Sequence, residues 1–244
     1  MHLRHSNRSA EANEIRPLVE TNFGGISAQP SIPEERLRPQ EPTPAAPRTV
    51  TLADPRVEQP ALHRYYLVPS ARTAAAGESP VLEVLEQLIG GGVNSYLYRA
   101  LVIDKQLTIG ATASYQPTAL DSSRFVISAI PNPCVKFGQI ERAIDEVIAN
   151  IAHNPARIED IERVKTRLIA RAIYAQDNQE ALANRYGRGL STGLCIDDIR
   201  GCSDGIRAVG AQQVREAARK WLDKRRSVTG YLIKEPTPKH EEKR

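Results

Sequence analysis

With 244 residues, 41% of them hydrophobic, the chain is long enough for one large domain plus an extension and apolar enough to bury a core. Its 33 basic residues are nearly matched by 29 acidic ones, and only 5% of residues are aromatic, which argues against a nucleic-acid surface of basic patches and stacking rings. No apolar run reaches the length of a membrane span, and the opening MHLRHSNRSAEANE lacks the apolar stretch of a signal peptide.

Ala10 to Phe23 has helical periodicity, with Ile15, Leu18 and Val19 on one face, Pro17 in a first turn and Gly24-Gly25 as the stop. Between Pro30 and Pro60 the composition shifts: eight of the seventeen prolines lie there, which predicts an extended connector over a surface and no helix or central strand. Leu62–Val68 reads as a strand ended by Pro69. Ser79-Pro80 reads as a cap and first helical residue, followed by an apolar face of Val81, Leu82, Val84, Leu85, Leu88 and Ile89 that ends at Gly90-Gly91-Gly92. A short helix from Ser95 to about Ile103 follows.

Thr108–Tyr115 alternates, with Ile109, Ala111, Ala113 and Tyr115 on one face, and Arg124–Ile130 alternates after it, so the two predict a hairpin with a long loop. Gln139–His153 is a helix by its isoleucine spacing. Asn154-Pro155 reads as the cap of a long helix to about Ala175, with Ile158, Ile161, Val164, Leu168, Ile169 and Ala172 inward. Further helices are expected at Asn178–Leu190, Ile196–Ala208 and Ala211–Leu222, then a strand at Ser227–Ile233 and a polar tail. A strand, helices, a hairpin, more helices and a final strand predict an α+β fold: two layers, a mixed and largely antiparallel sheet with helices on one face.

Chemistry-bearing patterns are sparse. The five histidines, His2, His5, His63, His153 and His240, fall in no H-E-x-x-H or H-x-x-E-H frame, so no catalytic or metal-binding residue is assigned. His2-x-x-His5 lacks a third ligand nearby, His63 reads as a half-buried sheet residue and His153 as a helix-end cation. Cys134, Cys195 and Cys202 form no even framework and read as small buried residues; a Cys195–Cys202 bond needs a backbone approach that spacing does not decide. There is no P-loop and no nucleophile elbow. Two local features could serve function. Gly90–Arg99 (GGGVNSYLYR) reads either as a helix end or as a turn that another chain can approach closely. Thr108–Tyr115 reads either as a central strand or as an edge open to strand addition.

The run SPVLEVLEQLIGGGVNSYLYRALVIDKQLTIGATASY resembles the opening of the second, non-catalytic domain of insulinase/pitrilysin-type zinc peptidases, a group that includes the mitochondrial processing peptidases. SSRFVISAIPNP, the two helices after it, and QVREAARKWLDKRRSVTGYLI continue the resemblance, which covers roughly Arg48 to Lys234. EANEIRPLVETNFGGI resembles the last helix of the preceding catalytic domain. The implied organisation is 1–24 as a remnant of that domain, 25–60 as the inter-domain connector, 61–234 as the C-terminal domain and 235–244 as a tail.

The resemblance implies a substrate-chamber domain that closes over a zinc-bearing half, with that half and an unfolded peptide as partners. Zinc is expected in the missing catalytic domain and no cofactor on this chain. It also implies substrate contacts at Gly90, Gly91, Gly92, Asn94, Ser95 and Arg99. Some family members pair an arginine with a tyrosine after the glycine-rich turn; Arg99 stands at the arginine position and Ile109 at the tyrosine position, so the pair is broken. Bacterial relatives are often exported, and the compartment of this chain is left open. The alternatives are a non-enzymatic scaffold subunit of the same fold, or the product of a truncated gene. A sheet face made to meet a catalytic domain predicts exposed apolar residues and weak self-association.

Overall fold

The computed structural model describes residues 12–27, 42 and 44–235. The expectations for His2, His5, His240, the start of the first helix, most of the proline-rich connector and the tail beyond Glu235 lie outside the described residues. The chain forms two compact units, Met1–Pro42 and Thr43–Arg244.

In the first unit, helix α1 spans Ala12–Phe23 and carries Pro17 in its interior. Proline has no N–H to donate there, while the Thr21 hydroxyl and the Asn22 amide donate back to the Pro17 and Leu18 carbonyls (2.8 and 2.7 Å). Its apolar residues Ile15, Leu18, Val19 and Phe23 are exposed.

The second unit is an α+β domain. Five strands, β1 (Arg48–Asp54), β2 (Ala61–Val68), β3 (Thr108–Tyr115), β4 (Ser123–Pro131) and β5 (Ser227–Lys234), form one sheet in the order β1-β5-β2-β4-β3. β1 runs parallel to β5 and every other pair is antiparallel. β1 lies inside the proline-rich stretch, in the proline-free run between Pro47 and Pro55, and takes an edge position, where a strand flanked by prolines is tolerated.

Helices α2 (Glu78–Gly90), α3 (Phe137–His153) and α7 (Ala211–Trp221) contact the sheet, while α4 (Ile158–Tyr174) and α6 (Ile196–Arg207) pack on α2, and α5 (Gln179–Ser191) packs on α6. The β2–β4 register places Leu62 opposite Ala129, Tyr66 opposite Phe125 and Val68 opposite Ser123 on the helix-covered face. Leu82, Leu85, Ile89, Ile140, Ile144 and Val214 bury against them, each at most 1% exposed. Period-3.6 patterning therefore located the core helices correctly. Among the described residues no helix is long and apolar enough to cross a membrane.

Several local expectations are corrected. Ser79 does not cap α2: the helix starts at Glu78 after Gly77, whose φ of 78° is left-handed, and the Ser79 hydroxyl lies 3.2 Å from that of Tyr115. Asn154 ends α3 instead of opening α4, which begins after Arg157; Ile158, the first residue of α4, is exposed. The segment after Ser95 winds from Tyr98 to Asp104 as a π-helix, with the Lys105 N–H reaching the Ala100 carbonyl at 3.1 Å. Strand β3 breaks its alternation at a bulge, because Thr108 pairs with Pro131 and Gly110 with Ile130. Ile109 is the extra residue and turns outward, 51% exposed, while Thr108 is buried. Cys134, Cys195 and Cys202 are free thiols, and the first two are exposed rather than buried. Cys195 faces solvent because its Sγ accepts the Asp198 N–H (3.4 Å) at the start of α6.

One core feature was not visible in the sequence. Arg64 occupies an inward position of β2 and is fully buried. It donates to Glu141 (2.9 Å), to Asp145 and to the Thr229 hydroxyl (3.2 Å), and Lys224 reaches the other oxygen of Asp145 at 2.7 Å. The charge is buried but paired and hydrogen-bonded, which ties α3 to the sheet.

Candidate functional site

The glycine-rich turn is made by the way α2 meets β3. A Cβ on Gly90 would lie 1.9 Å from the Ala113 nitrogen, so the end of the helix can press against the strand only without a side chain. Gly91 closes α2, its N–H reaching the Gln87 carbonyl at 3.0 Å. Gly92 has a φ of 122°, a conformation that L side chains rarely adopt. The chain then reverses: the Ser95 N–H donates to the Gly92 carbonyl (2.9 Å), and buried Ser95 accepts the Tyr98 N–H on its hydroxyl (3.4 Å) and the Arg99 N–H on its carbonyl (3.0 Å). Val93 and Asn94 stand exposed at the tip.

The structure thus brings Gly90, Gly91, Gly92, Asn94 and Ser95 together in one tight turn, and Arg99 one helical turn beyond. Arg99 is exposed and its guanidinium has no acceptor among the described residues. Ile109, in the bulge of β3, is likewise exposed. β3 is the terminal strand of the sheet, so of the two readings of Thr108–Tyr115 the edge is the one observed. Its outward-facing neighbours Gly110, Thr112 and Ser114 are small, in register with Ile130, Ser128 and Val126 of β4.

Sequence reading missed the contribution of α4 to this turn. Arg167 donates to the Gln87 side chain (2.7 Å), and the Tyr96 hydroxyl donates to Asp160 (2.9 Å), which also accepts from Arg163 (2.6 Å). Those two contacts of Asp160, with its arginine neighbours, hold its carboxyl below the usual carboxylate range despite the opposing and largest influence of burial, and burial pushes the Tyr96 hydroxyl up to about 12. The four-residue spacing of Arg163 and Arg167 was a signal, since it puts both on one face of α4. What lay opposite them was some seventy residues away in sequence.

The described residues do not fit a zinc site. His63 bonds to the Ser128 hydroxyl (2.9 Å) within the sheet, and His153 turns back on the Ala149 carbonyl at the end of α3 (2.6 Å). No group of three or more His, Cys, Asp or Glu residues is placed to hold a metal among the described residues.

Beyond geometry, the sequence matches the family described as the peptidase M16 inactive domain over residues 9–168, more than half of the chain. The chain belongs to the peptidase M16 inactive-domain family. Solved M16-type structures agree with the fold of this M16 domain. A protease from Helicobacter pylori superposes with a TM-score of 0.81 at 18% identity, covering 93% of this chain and 53% of that one. A peptidase M16 inactive domain from Pseudomonas fluorescens gives 0.73 at 15% identity over 93% and 53% of the two chains. The first half of the periplasmic protease PqqL from Escherichia coli gives 0.70 at 15% identity over 93% and 50%. At these identities the likeness is one of fold, and this M16 domain spans about half the length of each of those chains. A search of curated proteins found no match.

Proposed function

We propose that this M16 domain is the substrate-chamber half of a zinc endopeptidase and hydrolyses peptide bonds only together with a zinc-bearing half. One observation carries the reading: among the described residues of the second unit, helices cover one face of the sheet only. On the other face Val50, Leu52, Tyr65 and Leu67 are exposed, between 39% and 61%. Such a face, contiguous across β1 and β2 through β5, marks a surface made to meet another protein body. Beyond β4 runs the open edge of β3, whose unpaired backbone groups offer an extended peptide a strand to join, with the glycine-rich turn packed on that strand through Gly90.

In this reading the zinc belongs to the partner half, where it supplies the activated water. This chain contributes a wall and a backbone edge. Gly90 and Gly91 let the turn pack tightly on β3 and α4, exposed Gly92 lets a peptide pass close to the tip, Asn94 and Arg99 supply polar groups there, and Ser95 holds the turn in shape.

The test is affinity capture followed by mass spectrometry, using the wild-type chain and a Tyr65→Glu/Leu67→Glu variant. The wild type should recover a protein bearing H-x-x-E-H, the variant should not, and the recombined pair should cleave unfolded peptides. Chelator-sensitive cleavage by this chain alone would overturn the proposal. Recovery of partners without a zinc motif would favour a scaffold subunit.

A further inference from the structure

α4 grips the glycine-rich turn at both ends. At the entry, Arg167 Nη2 donates to Gln87 Oε1 (2.7 Å) and sits so near the backbone that a Cβ on Gly91 would lie 2.7 Å from it. At the exit, Tyr96 donates to Asp160 Oδ2, whose other oxygen accepts from Arg163. Between these grips is a cleft of about 10 Å³, with Asn94, Ser95 and Tyr96 on one side and Arg163 and Arg167 on the other. That volume admits a single oxygen-sized group.

The charge around the cleft is unbalanced. Arg163 is half exposed and gives one nitrogen to Asp160. Arg167 reaches only the neutral Gln87 side chain. Its acidic neighbour, Glu86, is bonded through Oε2 to Gln87 Nε2 (2.7 Å), so it stands one residue removed from the guanidinium. Burial pushes Glu86 up to about 7, which leaves it a weak counter-charge at neutral pH. The remaining donors of both guanidinia, and the Asn94 amide, have no acceptor among the described residues. Guanidinia with free N–H groups favour an anionic oxygen, so a carboxylate can seat one oxygen in the notch while its other oxygen stays outside.

We propose that the notch between the glycine-rich turn and the arginines of α4 is a carboxylate-binding site that takes an acidic group of a peptide lying along the turn. The carboxylate can come from a Glu or Asp side chain or from a free C-terminus. The inference rests on the reading that the turn meets peptide substrate, and it adds a preference: this half-chamber selects chains that present a negative charge there.

The experiment is fluorescence anisotropy with three labelled, unstructured Gly/Ser peptides: one neutral with an amidated C-terminus, one amidated with a central Glu, and one neutral with a free C-terminus. At least one acidic peptide should bind roughly tenfold tighter than the neutral one, with the advantage shrinking in salt. Whichever acidic peptide gains identifies the source of the carboxylate. Arg163→Met should abolish the advantage while leaving Arg167 on Gln87 and Tyr96 on Asp160, and circular dichroism checks that it folds. Equal binding of neutral and acidic peptides, or an advantage that survives Arg163→Met, overturns the notch and leaves the chamber reading standing. Failure of all three peptides to bind overturns both.

Discussion

Along β2, alternate side chains live in two different surroundings. Leu62, Arg64, Tyr66 and Val68 point under the helices and are at most 1% exposed, whereas Tyr65 and Leu67 on the opposite face are 39% and 45% exposed. The covered face even accepts a guanidinium, because α3 brings Glu141 and Asp145 to it. The open face keeps apolar groups exposed, with no element over them among the described residues of this unit. A sheet that stabilises itself through one face alone leaves the other free for partners, so substitutions on the two faces should separate folding from association.

The sharpest break should come at Gly90. A methyl group there meets the β3 backbone, so Gly90→Ala should cost about 4 kcal/mol or more, read as a lowered urea midpoint; a normal midpoint would show that α2 does not rest on β3 as described. Removing the buried cation by Arg64→Ala should cost about 3 kcal/mol, since Glu141 and Asp145 of α3 lose their buried counter-charge and keep only Tyr231 and Lys224.

A pH effect comes next. Glu83 and Glu86 on α2 are each pushed up to about 7 from an ordinary 4.5, mainly by burial. The folded state then holds protons that the unfolded chain has released. Its advantage is complete below pH 4.5 and is lost as the pH rises to about 7. Glu83→Gln with Glu86→Gln should flatten that decline in unfolding experiments across the window, and an unchanged slope would assign it to other groups.

The smallest effect on folding is expected on the open face. Tyr65→Ser with Leu67→Ser should change stability by about 0.5 kcal/mol or less while reducing self-association in sedimentation. A large loss of stability with no change in association would reverse the comparison.

Much of this layout was legible because burial imposes periods. Isoleucines at helical spacing marked α3, and the apolar face of Val81 to Ile89 marked α2, since a helix beside a sheet must bury one stripe. Boundaries were less legible. Ser79 looked like a cap, but Gly77 turns the chain one residue before the helix begins, and Ser79 is used against Tyr115 instead. β1 was hidden because prolines dominate its neighbourhood, and a strand of seven residues between Pro47 and Pro55 is acceptable only at an edge.

The glycine-rich turn itself was recognisable as a turn, and its neighbours as one contiguous motif. What the turn touches was not, because Arg163 and Arg167 reach it only when α4 folds back over α2. Likewise nothing in the alternation of Thr108–Tyr115 announced the bulge that turns Ile109 outward. Local order along the chain decided which segments became helix or strand and which residues faced inward, since each of those choices is made within a few residues by backbone sterics and burial. The buried Arg64 network, the edge position of β3 and the cationic notch were decided by tertiary structure alone, because each depends on groups far apart in sequence whose meeting only the packed sheet and helices specify.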